Sequence, residues 1–103
     1  MTEGPNNLDE AVGRTIARRR NAHPLTQEEM AYTLSTSAGR VRNFEQGRQR
    51  IPLSYVWECA GVFNCEVTDI FAEAAQLLRA RGIVPTPPKP NPTLGDIGRS
   101  LGF

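Results

Sequence analysis

Lysine, histidine and cysteine are scarce in this chain of 103 residues: one Lys, one His and two Cys. Each scarcity excludes something. The lone His23 precedes Pro24 and reads as a helix-end residue, leaving no cluster from which a catalytic base or a histidine-rich metal site could be built. Cys59 and Cys65 fit no metal-binding spacing and read as small buried hydrophobes in a reducing cytoplasm. A glycine-rich phosphate loop is missing, the carboxylates are scattered, and no apolar run approaches the ~18 residues of a membrane span. The expectation is a cytoplasmic protein that is not an enzyme, carries no cofactor or metal, and keeps off the membrane.

Arginine is what the sequence has instead, supplying eleven of the twelve basic residues. The net charge of +1 hides an uneven distribution. Arg14, Arg18, Arg19, Arg20, Arg40, Arg42, Arg48 and Arg50 fall between positions 14 and 50 against Glu28, Glu29 and Glu45, while the rest of the chain is net acidic. A local cationic field built from planar guanidinium groups suits a polyanion such as nucleic acid.

The length predicts one domain with a tail. Residues 1–7 read as a mobile arm, 8–82 as a helical domain, and 83–103 as a proline-rich linker with a short amphipathic end. Leu8, Val12 and Ile16 recur every four residues and predict a first helix over 8–22, stopped by His23-Pro24. Thr26 and Glu29 form a capping box, which starts a second helix at Gln27 with Met30, Ala31 and Leu34 on its buried side. Ser35-Thr36-Ser37 is a turn, with Ser37 capping a third helix that Gly47 ends by taking a left-handed conformation. Pro52 and Leu53 open a fourth helix, with Val56, Trp57, Ala60 and Phe63 expected inward and Asn64 as its left-handed cap. A fifth helix follows over 67–81, carrying Val67, Ile70, Phe71, Ala74, Leu77 and Leu78. Five such helices leave no room for a sheet.

On the third helix, at about 100° per residue, Val41 and Phe44 point together into the core, with Glu45 at their edge. Gly39, Arg42, Asn43 and Gln46 then point outward. Adjacent Arg and Asn can pair bidentately with guanine and adenine. Arg40, on the flank, is better placed for a phosphate, and the small Ala38 and Gly39 let the helix start sit deep in a groove. Gln27 stands where free backbone N–H groups favour a phosphate. Arg48 and Arg50 lie on a loop expected to run beside a nucleic-acid backbone, supplying affinity without sequence preference. Arg20 faces Glu45, which predicts a structural ion pair between the first and third helices.

Positions 12–71 resemble the helix-turn-helix family of the phage repressor and Cro proteins, also called XRE-type. The resemblance is carried by Ile16 and Arg20, Leu25-Thr26-Gln27-Glu28-Glu29-Met30-Ala31, Val41, Phe44-Glu45-Gln46-Gly47, Pro52, Ala60, Phe63 and Ile70-Phe71. It implies an all-α, five-helix, lambda-repressor-like DNA-binding domain, usually dimeric and usually a transcriptional repressor acting at inverted repeats. On the family pattern, base contacts fall at Ala38, Gly39, Arg42 and Asn43, and phosphate contacts at Gln27, Arg40, Arg48 and Arg50. Three departures stand out. Ala38 and Gly39 replace frequent glutamines, which moves base reading to Arg42 and Asn43. Ser35 replaces a common turn glycine, and Glu66 a frequent serine cap.

The tail lies outside the resemblance. Pro85, Pro87, Pro88, Pro90 and Pro92 predict an extended stretch roughly 25 Å long at ~3.1 Å per residue. Leu94, Ile97 and Leu101 would then line one side of a helix weakened by Gly95, Gly98 and Gly102. Residues 93–103 therefore read as a dimerisation arm, a docking peptide for another protein, or a disordered end. An antitoxin or adaptor, whose tail binds a partner protein and whose DNA binding serves autoregulation, is the competing reading.

Overall fold

The computed structural model describes residues 4–85, which form α1 (Asn7–Ala22), α2 (Gln27–Thr33), α3 (Ala38–Glu45), α4 (Leu53–Phe63) and α5 (Val67–Ala80). Among the described residues there is no strand. Residues 93–103 and most of the proline-rich stretch lie outside them.

Local chemistry sets each boundary. Asn6 and Asp9 cap α1 reciprocally: Asp9 N–H donates to Asn6 Oδ1 and Asn6 N–H to Asp9 Oδ2, both at 3.0 Å. Helical order thus begins at Asn7, inside the expected arm, because the reciprocal cap satisfies the backbone donors of Asn6 and Asp9. Thr26 and Glu29 cap α2 in the same way. Ser37 Oγ accepts from Arg40 N–H at the start of α3. The turn between α2 and α3 passes through Ser35 at φ +55°, and α4 closes on Asn64 at φ +54°. Left-handed backbone is strained for a serine and milder for an asparagine.

The core gathers Ile16, Met30, Val41, Phe44, Tyr55, Val56, Cys59, Phe63, Ile70 and Ala74. Burial of each large side chain stabilises the fold by about 1.5–3 kcal/mol. Both α3 and α5 pack on α1. The approach of α3 is close because residue 13 is glycine: a Cβ there would sit 2.1 Å from the Phe44 carbonyl oxygen.

The inward face of α4 is Tyr55, Val56, Cys59, Ala60 and Phe63. Trp57, expected inward, is 72% exposed. At about 100° per residue it lies a quarter-turn past Val56, off the stripe that 56, 60 and 63 define. Leu8 is likewise exposed, standing where α1 begins and only Val12 and Ile16 below it reach the core.

Candidate nucleic-acid interface

Helix α3 is held from beneath and open above. Val41 and Phe44 are buried, and the Phe44 ring packs on Tyr55 with centroids 4.5 Å apart. On the other side Arg42 and Gln46 are exposed and Asn43 is half-buried. At Gly39 no neighbouring atom stands within 4 Å of where a Cβ would project, so that end of the helix is unobstructed. Ala38 is different: it packs partly against the core and contributes little to the outward face. Arg42 and Asn43 are therefore the large polar side chains that α3 presents together.

Arg40 lies on the flank, its guanidinium carbon 5.1 Å from the centroid of the Phe44 ring. That contact steadies a long side chain whose charged end stays exposed. Arg48 and Arg50 are exposed on the loop between α3 and α4. The loop is tied at three points: Gly47 N–H to Phe44 O, Arg48 N–H to Asn43 O, and Ile51 N–H to Asp9 Oδ1 at 2.9 Å. Gly47, at φ +70°, passes so near α1 that a Cβ would lie 3.3 Å from the Glu10 Cα. The arginines thus ride on a strap fixed to α1.

Arg20, Glu45 and Gln27 converge on one point. Arg20 Nε donates to Glu45 Oε2 at 2.7 Å and Nη2 to Oε1 at 3.0 Å. The side chains are 11% and 4% exposed. Arg20 Nη1 also donates to the Leu25 carbonyl, and Gln27 Nε2 to Glu45 Oε1 at 3.0 Å. Glu45 is thus enclosed rather than at an edge, and Gln27 spends one amide hydrogen on it. The Glu45 carboxylate raises the pKa of the Arg20 guanidinium further, against the opposing effect of burial. This network joins α1, the start of α2 and the end of α3, and so fixes how far α3 projects.

Several contributors escape sequence reasoning. Asp9, which tethers Ile51, reads only as a first-turn acid. Arg19 pairs with Glu73 across α1 and α5, and Arg81 with Glu10 at 2.6 Å. The Arg81 guanidinium lowers the pKa of the Glu10 carboxyl. Tyr55 is buried, and among the described residues its hydroxyl has no hydrogen-bond partner. The signal that could have found it is helical spacing, since 55, 59 and 63 share one face of α4.

His23 Nδ1 lies 2.9 Å from the Arg19 carbonyl and its ring packs on Phe63, a helix-end role. Burial pushes the Cys59 thiol up to about 12. Among the described residues no group of three His, Cys, Asp or Glu could hold a metal, and no helix is long and apolar enough to cross a membrane.

No family profile and no curated protein matches the chain. Solved structures do. The chain is similar to the clp gene regulator ClgR from Corynebacterium glutamicum, at 22% identity and a TM-score of 0.70 over 96% of this chain and 94% of that one. A further crystal structure of ClgR gives 25% identity and a TM-score of 0.66 over 69% and 92%. The restriction-modification controller protein C.AhdI from Aeromonas hydrophila is 21% identical, with a TM-score of 0.57 over 60% and 94%. A hypothetical transcription factor, NHTF, from Neisseria is 20% identical, with a TM-score of 0.61 over 78% and 94%. Apart from the second ClgR structure, the likeness at these identities is one of fold.

Proposed function

We propose that this chain, whose fold is that of helix-turn-helix regulators of the repressor and Cro type, is a cytoplasmic DNA-binding transcriptional repressor. It binds inverted-repeat operators as a homodimer, with α3 of each copy in a major groove. The observation that carries this reading is the outward face of α3: Arg42 and Asn43 lie side by side on a helix locked from below by Val41, Phe44 and the Arg20–Glu45 pair. Arg42 matches guanine O6 and N7, and Asn43 matches adenine N6 and N7. Gly39 and Ala38 contribute by being small, letting the helix start approach the base edges. Arg40, Arg48 and Arg50 meet phosphates on either side and set the register. Gln27 keeps a second amide hydrogen for a phosphate after bonding Glu45.

The likeness in fold supports the same reading, because ClgR is a gene regulator and C.AhdI a controller protein. Selection from a random duplex library tests it. Enrichment of a palindromic site is expected, with half-sites about 10 bp apart centre to centre. Retention without any enriched sequence would reduce the protein to a non-specific cation, and the proposal would fall.

A further inference from the structure

Among the described residues a largely apolar groove lies open far along the sequence from α3. It has a volume of about 560 Å³ and runs between the start of α1 and the end of α5, lined by Leu8, Ala75, Leu78, Ile83, Val84 and Pro85 with the polar Asn6, Asn7 and Arg79 among them. Leu8 is 46% and Val84 57% exposed, so these side chains are only half covered among the described residues. That volume lies within the ~300–1,000 Å³ typical of sites that enclose a bound group. Such a half-lined trough at a domain edge is unfavourable to leave against water.

Where the described chain ends decides what can fill it. Pro85 itself forms part of the wall, and residues 86–103 follow directly. Within them Leu94, Ile97 and Leu101 fall at helical spacing, with Asp96 between the first two and Phe103 beyond. Five prolines from Pro85 to Pro92 favour an extended rod of roughly 25 Å at ~3.1 Å per residue. A stiff stretch of that length, starting at Pro85, would favour reach to a second copy over return to the groove it starts from.

We propose that residues 93–103 of one copy dock in this groove of a second copy, and that the second copy returns the contact. Leu94, Ile97 and Leu101 take the apolar floor between Leu8 and Leu78, and Asp96 meets Arg79. The exchange is two-fold by construction, since each copy supplies one groove and one segment. A segment too weak to fold alone gains its helix on docking. The inference rests on the dimer of the proposed function, and names the surface that makes it.

The test uses the full chain with Val84, an exposed position, replaced as Val84→p-benzoylphenylalanine. Isotopically heavy and light chains are mixed, irradiated, digested and mapped by mass spectrometry. The expected product has twice the chain mass and joins position 84 of one copy to residues 93–103 of the other. Cross-links within a single chain, or to any other segment, overturn the docking, and so does a dimer that yields none. Sedimentation of the double variant Leu94→Asp, Ile97→Asp gives a second readout free of groove mutations. Loss of two apolar anchors is expected to raise the dimer dissociation constant by about a hundredfold or more. An unchanged constant overturns the docking and leaves the dimer standing. A wild-type chain that stays monomeric even on its selected duplex removes both.

Discussion

At the scale of the residue, the proposed function divides the surface into side chains that would read, side chains that would hold, and side chains that position both. Glu45 is the chief positioning group, with three donors on one enclosed carboxylate. Truncating it in Glu45→Ala leaves Arg20 buried and uncompensated, which is expected to cost about 3–5 kcal/mol in urea unfolding. A loss below about 1 kcal/mol, the size seen for exposed pairs, would show that the network is not enclosed. The cysteines give a second check. Cys59 is fully enclosed, with its thiol pushed up to about 12, whereas Cys65 is half-buried and its thiol, though also raised by burial, stays within reach of solvent. An alkylating reagent at pH 8 is expected to label Cys65 and to spare Cys59 until the protein unfolds, because only the thiolate reacts. Prompt labelling of Cys59 in the folded protein would contradict the placement of α4.

At the scale of the element, most of the secondary structure is legible in the sequence. The capping box at Thr26 and Glu29, Ser37 as a cap, Gly47 and Asn64 as left-handed stops all speak through local chemistry. What escapes is set by tertiary geometry. Gly13 carries no local signal, yet the absence of its Cβ is what lets α3 lie on α1. Size and apolarity point Trp57 inward, but helical phase outranks hydrophobicity when a helix has only one buried side. Gly13→Ala is expected to destabilise the fold by about 1–3 kcal/mol through overpacking, although alanine is the better helix former. Ser35→Gly is expected to act in the opposite sense, stabilising by up to about 1 kcal/mol because glycine takes the positive φ without strain. Melting temperatures of the two variants check both signs, and a stabilised Gly13→Ala would mean that the two helices do not touch there.

At the scale of the whole molecule, the candidate site is a surface assembled from three places along the chain. The outward arc of α3 can be derived from helical phase alone, whereas the pairing of Arg20 with Glu45 follows from opposite charges on two helices once α3 is taken to lie on α1. The inward lean of Ala38 and the tethering of the arginine loop to Asp9 cannot, because both depend on how α3 and the loop settle on α1. The division of labour across this surface gives the central claim its sharpest form: α3 specifies and the flanking arginines attach. The measurement is the binding constant for the selected duplex and for a scrambled one, across a salt series, for wild type, Arg42→Ala and Arg48→Ala. Arg42→Ala is expected to lose about 1–3 kcal/mol on the selected duplex and little on the scrambled one. Arg48→Ala is expected to weaken both alike and to flatten the salt dependence by about one counterion. If Arg42→Ala instead weakened both duplexes equally, or neither, α3 would not be reading bases and the proposed function would fail.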